Sequence, residues 1–260
     1  MLSSTDVQLA LDIDVAGDGV PDLRPNWNVA PTQLVPVVLD RPARPGDRSL
    51  KSAETLAAPT PEERAAIDAV DPANPEAPGA PVRALELAHW GFIPPWAKDP
   101  SMGSRMINAR SETVAEKRSF APGFSKRRCI VPATGYFEWK KEGTAKRPFF
   151  IQRKDSDPLF LAGIYGWWQT PDAEWLLTAT ILTRAAVGDM AEIHDRSPVI
   201  LERAEVDTWL DPSFTEPAAV LALIERPNAE LGAYEVRKEV GNVRNNSPAN
   251  LDPVEGGETV

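Results

Sequence analysis

The chain has 260 residues, of which 42% are apolar, and a formal net charge of −10 at pH 7. Its length fits one large domain or two small ones, and its apolar content is enough for a real hydrophobic core. No run of eighteen apolar residues occurs and no basic-then-apolar N-terminus is visible, so we expect neither a membrane span nor a secretory signal. The single cysteine, Cys129, excludes an intrachain disulfide and a cysteine-based zinc cluster. We therefore predict a cytoplasmic monomer without a metal or a cofactor.

Charge is unevenly distributed along the chain. Residues 98–154 contain fourteen Lys or Arg against five Asp or Glu, whereas the residues after position 200 contain twelve acids against five bases. An acidic body with a basic central segment fits a protein whose contact with nucleic acid is confined to one cleft. A basic face that is merely solvated is the alternative interpretation.

The first third of the chain predicts a short helix, two strands and an insertion. Polar residues at 3–6 before an apolar run are typical of a helix start. Residues 34–39 form an apolar strand in which Pro36 favours an edge or a bulge. Residues 41–80 hold seven prolines and few large apolar side chains, which predicts a mobile insertion before the strand at 84–90.

Strands dominate the rest of the chain, and the short helical segments are peripheral. The predicted strands lie at 129–139, 148–152, 159–165, 175–182, 197–201 and 234–237, and the predicted helices at 186–193, 206–210 and 218–224. We therefore predict an α+β fold, a single domain over residues 1–250 built on a curved, barrel-like and mainly antiparallel sheet. An acidic flexible tail is expected at 251–260.

One carboxylate stands out in the strand at 129–139. Glu138 lies between Phe137 and Trp139, and the strand is rich in β-branched and aromatic residues. The alternation of polar and aromatic residues fits a surface position for Glu138. The other interpretation is a buried acid with a raised pKa, which is a common property of functional carboxylates.

Two further segments bring polar groups together. Residues 106–112 (Met-Ile-Asn-Ala-Arg-Ser-Glu) supply Asn108 and Arg110, and residues 192–198 (Glu-Ile-His-Asp-Arg-Ser-Pro) supply His194 and Arg196. With Glu138 they provide an amide, a carboxylate, an imidazole and two guanidinium groups. That set suits general acid–base chemistry beside a phosphate.

In the same order, these three segments resemble the signature segments of the SRAP family, the SOS-response-associated peptidase domain. The resemblance continues in residues 27–32 (Trp-Asn-Val-Ala-Pro-Thr), 89–96 (His-Trp-Gly-Phe-Ile-Pro-Pro-Trp) and 241–246 (Gly-Asn-Val-Arg-Asn-Asn). It therefore spans about residues 26–246, most of the chain. It implies one domain with a central DNA groove.

The resemblance also implies an activity. Members of the family act in the DNA damage (SOS) response on single-stranded DNA that carries an abasic site. The resemblance therefore implies association with the nucleoid and an activity of the protease, hydrolase or lyase type. Glu138 matches the acid that protonates the sugar ring oxygen, His194 the histidine that assists proton transfer, and Asn108 the amide that positions the sugar. Arg110 and Arg196 match residues that bind the phosphates on either side of the abasic site.

Two tryptophans are further DNA-binding candidates. Trp90 and Trp139 would stack on bases without sequence preference, as aromatic side chains do in single-strand binding proteins. Trp is also a common core residue, and for Trp90 the two interpretations are evenly balanced.

The chain departs from the family pattern at its start. The family nucleophile is an N-terminal cysteine in a Cys-Gly-Arg segment, whose amine and thiol form a thiazolidine crosslink with the abasic sugar after the initiator Met is removed. This sequence begins Met1-Leu2-Ser3, so we expect either that the first strand is missing or that the chain is a non-catalytic relative that only binds DNA. A peptidase that acts on other proteins is a weaker alternative, and Cys129 in its apolar strand is no substitute.

Overall fold

The structure, a computed structural model, describes residues 4–17, 20, 23–44, 46–50, 81–226 and 230–260. Its strands are β1 (Val15–Ala16), β2 (Leu34–Pro42), β3 (Arg48–Ser49), β4 (Pro81–Trp90), β5 (Asn108–Arg110), β6 (Arg128–Ala133), β7 (Tyr136–Glu142), β8 (Ala145–Arg153), β9 (Leu159–Gln169), β10 (Trp175–Ala185), β11 (Arg196–Pro198), β12 (Ile200–Leu201) and β13 (Leu231–Glu235). Its α-helices are α1 (Ser4–Leu11), α2 (Ala121–Lys126), α3 (Met190–Ile193), α4 (Val206–Leu210) and α5 (Pro217–Ile224). Short 3₁₀ helices lie at Pro100–Arg105, Arg203–Glu205, Lys238–Gly241 and Pro248–Leu251. None of the described helices is long and apolar enough to cross a membrane.

Five strands close into a barrel in the order β10-β9-β6-β2-β4, and β4 then pairs with β10. The closing pair is parallel, with Thr178 opposite His89 and Ala179 opposite Trp90. The other four pairs are antiparallel. The predicted α+β class and barrel-like, mainly antiparallel sheet are therefore confirmed.

Apolar residues alternate between the inside and the outside of the barrel, because successive side chains of a strand point to opposite faces. Val37 and Leu39 point inward while Val38 points outward. We call the inner group the barrel core; none of its buried members comes from a described helix. They are Val35, Val37, Leu39, Ala88, Cys129, Val131, Leu159, Leu161, Tyr165, Leu177, Ala179, Ile181 and Ile200.

The helices cover the outer face of the barrel. Val7, Leu11, Trp209 and Val220 pack with outward-facing strand residues, and Trp209 is fully buried. Its indole Nε1 donates a hydrogen bond to the carbonyl oxygen of Cys129 over 2.9 Å. A sheet buried on both faces explains why β9 is apolar along nearly its whole length.

A smaller sheet, in the order β13-β8-β7, stands beside the barrel. Register places Glu138 opposite Phe149, and Phe149 packs with Met190 and Ile193 at α3. The other face of this sheet carries Phe150 in a separate cluster. The two faces of β7 therefore meet different parts of the molecule.

The expected flexible tail at 251–260 is paired with β13, so that prediction is corrected. Ala233 and Val260 exchange two backbone hydrogen bonds of 2.8 and 2.9 Å. The Glu258 carboxylate accepts hydrogen bonds from Lys140 at 2.6 Å and from Arg147 at 2.9 Å. Backbone groups of β13 and nearby cations therefore hold a segment whose acidic composition suggested disorder.

The expected insertion at 41–80 is packed at its beginning. Arg41 is buried and donates hydrogen bonds to Asp47 at 2.7 Å and to Glu86 at 2.7 Å. Buried carboxylates need a cation beside them, and Arg41 is that cation for Asp47 and Glu86. Residues 41–44 and 46–50 are therefore packed onto the rest of the domain. The remainder of the predicted insertion, residues 51–80, lies outside the described residues.

Candidate active site

The centre of the site is an acid–imidazole pair. Glu138 comes from β7, and His194 follows α3 in an extended backbone conformation. Glu138 Oε1 lies 3.8 Å from His194 Nδ1, and the two side chains are 25% and 37% exposed. Both groups are therefore accessible from solvent on one side and supported by protein on the other.

Partial burial changes the acidity of Glu138. Desolvation raises the pKa of this carboxyl above its ordinary value, and the neighbouring imidazole only partly opposes that effect. Of the two interpretations of Glu138, the structure supports an acid with a raised pKa. Such a group holds a proton closer to neutral pH and can donate it to a bound molecule.

Backbone groups fix the orientation of the imidazole. The N–H of Arg196 lies 3.1 Å from His194 Nδ1 and can donate to it in the tautomer that leaves Nδ1 unprotonated. The carbonyl oxygen of Arg196 is also 3.1 Å from Nδ1, and the Asp195 carboxylate lies at 3.4 Å. A donor and two acceptors therefore lie beside the Nδ1 side of the ring.

Asn108 and Arg110 lie on β5, which runs parallel to β10. Register places Asn108 opposite Ile181 and Arg110 opposite Thr183, on the face of β10 that continues the barrel core. The alternate residue Ala109 is buried and anchors the strand. Both polar side chains are exposed, and in the described part of the chain the Arg110 guanidinium has no hydrogen bond or ion pair.

Arg196 is already paired. Its guanidinium donates two hydrogen bonds to the Glu112 carboxylate, at 2.7 and 2.8 Å, and a third to the carbonyl oxygen of Thr183 at 2.6 Å. This bidentate contact lowers the pKa of Glu112 to about 2. An anion that approached Arg196 would have to compete with Glu112, whereas Arg110 has no such carboxylate beside it among the described residues.

The two candidate tryptophans are in different environments. The Trp90 indole donates a hydrogen bond to the carbonyl oxygen of Ile107 over 2.9 Å and packs against the barrel core. It therefore holds the start of β5 beside the end of β4. Trp139 lies on the opposite face of β7 from Glu138 and packs with Val236 and Val240. The structure does not bring Trp139 to the acid–imidazole pair.

Sequence reasoning missed Tyr136, which the structure adds to the site. Its hydroxyl is 3.2 Å from Ser197 Oγ, and burial raises the pKa of the phenol above its ordinary value. Tyr136 precedes Glu138 by two residues, so both point to the same face of β7. That alternation was the available signal. The contact ties β7 to β11 and packs against the barrel core.

The described residues contain no group of three or more His, Cys, Asp or Glu side chains arranged to hold a metal ion. The thiol of Cys129 is fully buried in the barrel core, and burial raises its pKa. It is therefore neither exposed nor activated as a nucleophile. The carboxylate and imidazole of Glu138 and His194, 3.8 Å apart, are the candidate groups for proton transfer.

Comparison with known proteins agrees with this geometry. The family model described as SOS response associated peptidase (SRAP) matches residues 1–243. The chain belongs to the SRAP family. Among SRAP relatives, the abasic site processing protein YoqW of Bacillus subtilis is 43% identical over 63% of this chain and 74% of its own length. The abasic site processing protein YedK of Escherichia coli is 37% identical over 65% and 75%.

The solved structures agree as well. A protein from Bacteroides thetaiotaomicron superposes on this SRAP chain with a TM-score of 0.61. It is 31% identical, and the match covers 66% of this chain and 78% of that protein. The chain therefore has a fold that has already been observed in crystals.

Proposed function

We propose that this SRAP chain binds single-stranded DNA at abasic sites and processes them through proton transfer by Glu138 and His194. The observation that carries the proposal is the partly buried Glu138, with a raised pKa, 3.8 Å from the imidazole. Arg110 supplies an unpaired cation on β5 for a phosphate. The names of the relatives, abasic site processing proteins, support the same substrate.

The first chemical step opens the abasic sugar. In its closed form the sugar is a cyclic hemiacetal, with C1′ bonded to the ring oxygen O4′. The protonated Glu138 donates its proton to O4′ as the C1′–O4′ bond breaks, and the C1′ hydroxyl loses its proton to His194. The products are an aldehyde at C1′ and a hydroxyl at C4′. Asn108 orients the sugar by hydrogen bonding.

The second step is covalent and requires an N-terminal cysteine. Removal of the initiator Met, the self-cleavage implied for the family, frees the α-amine. This amine has a near-neutral pKa, attacks the aldehyde and releases water to form a Schiff base. The cysteine thiol then adds to the C=N bond and closes a thiazolidine ring. The sequence has Leu2 in this place, so the step belongs to a form of the protein that carries the cysteine.

Binding without covalent chemistry is the second candidate function. The exposed Arg110 and Asn108 do not depend on an N-terminal cysteine, and Cys129 cannot replace one. A chain with this surface alone would recognise abasic single strands reversibly. In either form we place the protein in the DNA damage response, acting as a monomer in the cytoplasm on the nucleoid.

The deciding experiment compares two proteins on an abasic oligonucleotide. One is the chain with Leu2, and the other carries Met-Cys-Gly-Arg-Tyr-Ala ahead of Ser3 in place of the first two residues. We expect a heat-stable adduct on a denaturing gel only from the second protein. The first should give an adduct only after borohydride reduction, or none. A heat-stable adduct from the Leu2 chain, or none from the cysteine-bearing one, contradicts the covalent mechanism.

A matched pair of variants tests the acid. In the cysteine-bearing protein, Glu138→Gln should slow adduct formation by about 100-fold or more, the usual contribution of a general acid. Glu142→Gln is the control, because its exposed carboxylate lies on the same face of β7 and contacts Arg147 instead. Equal rates for the two variants would remove Glu138 from the mechanism.

A further inference from the structure

An open cavity of about 490 Å³, lined mostly by polar residue types, lies at the C-terminal side of the small sheet. It is formed by the residues that follow β13, and its walls include Arg237, Glu239, Arg244, Asn246 and Ser247. Residues 241–246 form one of the motifs that resemble the SRAP family, yet they take no part in the proton transfer by Glu138 and His194. The cavity is therefore a candidate for a separate binding step.

The loop around the cavity is held rigid by amide side chains. Asn28 is buried, and its Nδ2 donates to the carbonyl oxygens of Val240, Asn242 and Asn245 at 3.0, 3.1 and 3.0 Å. Asn250 Nδ2 donates to the same Asn245 oxygen over 2.6 Å. These hydrogen bonds occupy three carbonyl acceptors of the loop with amide donors.

The free donors are suited to an anion. Arg237 and Arg244 make no ion pair in the described part of the chain. Asn246 Oδ1 accepts a hydrogen bond from the N–H of Trp27 over 2.8 Å, which leaves its Nδ2 free to donate. Glu239 is the one carboxylate among the lining residues, so the two guanidinium groups outnumber it. Guanidinium and amide donors are the groups that recognise phosphate oxygens.

Contacts through residues 28–32 link the loop of the cavity to the strands of the active site. Asn28 is at the cavity, and Val29 packs against the barrel core. The N–H of Thr32 then donates to the carbonyl oxygen of Trp90, which holds β5 of the active site, over 2.8 Å. Trp139 packs with Val240 on the cavity side of β7. An aromatic ring beside phosphate-binding donors is typical of single-strand binding surfaces.

We propose that this cavity binds a phosphodiester group of the DNA strand whose abasic site occupies the Glu138–His194 centre. The inference rests on the proposed function and extends it to a second contact on the same strand. It also gives Trp139 a DNA contact away from the acid–imidazole pair, as a stacking surface for a neighbouring base.

The test measures binding of single-stranded oligonucleotides that contain a stable abasic analogue, by fluorescence anisotropy. A short oligonucleotide of about 4 nucleotides and a long one of about 16 bracket the site sizes of single-strand binding folds. The double variant Arg237→Gln/Arg244→Gln should bind the long oligonucleotide at least about fivefold more weakly and the short one unchanged. For the long oligonucleotide, the slope of log K against log salt concentration should become shallower by about 0.7 for each phosphate that the variant no longer neutralises.

The matched control is Arg203→Gln/Arg226→Gln, which removes the same charge from two exposed arginines paired with Asp207 and Glu205. An equal decrease in affinity for this control, or an equal decrease for short and long oligonucleotides, overturns the inference. Thermal unfolding verifies that each variant is folded.

Three results separate the inference from the function on which it rests. If Arg110→Gln weakens binding but the cavity variant does not, the proposed function stands and the cavity inference is overturned. If no oligonucleotide binds the unmodified chain, both are overturned. In a third measurement, inorganic phosphate is added as a competitor. If phosphate displaces the short oligonucleotide as effectively as the long one, its effect is a general anion effect, and the cavity is overturned as a DNA subsite.

Discussion

Replacing Glu112 by Gln tests whether Arg196 is held by protein or is available to DNA. The substitution keeps the shape of the side chain and removes its charge, so the bidentate contact at 2.7 and 2.8 Å loses its ionic character. We expect a less stable protein and a freer Arg196 guanidinium. The first effect is measured by urea unfolding and the second by DNA binding.

The size of the stability loss follows from the pKa of Glu112, which the ion pair lowers from 4.5 to about 2. At about 1.36 kcal/mol per tenfold change in acidity, a pair shielded from solvent would contribute about 3.4 kcal/mol. The Glu112 side chain is 48% exposed, so solvent screening reduces the expected loss to about 1 kcal/mol. That corresponds to a midpoint about 0.3–0.5 M lower in urea.

The pH dependence gives a sharper signature than the loss itself. A depressed carboxyl pKa contributes stability that is complete above pH 4.5 and is lost as the pH falls from 4.5 towards 2. The variant and the unmodified protein should therefore differ at pH 7 and converge at acid pH. Glu116→Gln is the control, since this exposed carboxylate of the same segment has no ion pair among the described contacts.

Affinity for single-stranded DNA should rise in the Glu112→Gln variant. The Arg196 guanidinium no longer has to give up an interaction of about 1 kcal/mol with Glu112 before it contacts a phosphate. Binding should therefore strengthen by about fivefold. Equal stability of variant and unmodified protein at every pH refutes the reasoning about the ion pair. A clear stability loss with unchanged affinity would show that Arg196 positions β11 and does not contact DNA.

The remaining predictions concern three single residues. Arg110→Gln should weaken single-strand binding and make its salt dependence shallower by about 0.7, and an unchanged slope in anisotropy titrations argues against a phosphate contact there. Burial raises the pKa of Glu138, so the folded state favours the protonated carboxyl and loses stability as the pH rises through that pKa. Glu138→Gln should therefore gain stability relative to the unmodified protein at pH 8 but not at pH 4, and urea unfolding at the two pH values would expose the opposite trend. Cys129 should resist iodoacetamide at pH 8 until urea is added, because its thiol is buried with a raised pKa, and fast labelling of the native protein would show that the barrel opens.

The elements that local pattern determines could be predicted from the sequence. Alternation along β7 placed Tyr136 and Glu138 on one face, and apolar runs located β9 and β10. Pro36 lies in β2, which pairs with β6 only at Val38 and Ile130. The missing N–H of Pro36 therefore does not interrupt a long ladder of hydrogen bonds between β2 and β6.

Contacts between distant residues could not be predicted. Nothing local indicates that Glu112 takes the guanidinium of Arg196, 84 positions away, or that Arg41 is buried by Glu86. Charge composition suggested a free acidic tail, whereas Glu258 pairs with Lys140 across the small sheet. In each case a polar residue that would be solvated alone is held by a partner that only the completed fold supplies.

The parallel pairing of β4 with β10 has a consequence for synthesis of the protein on the ribosome. His89 and Trp90 are made well before Thr178 and Ala179, their partners in the closed barrel. At about 5–20 residues per second, the intervening chain takes roughly 4 to 17 s to emerge. During that interval the end of β4 has an unpaired edge that can associate with other nascent chains. The barrel can therefore close only after β10 has emerged.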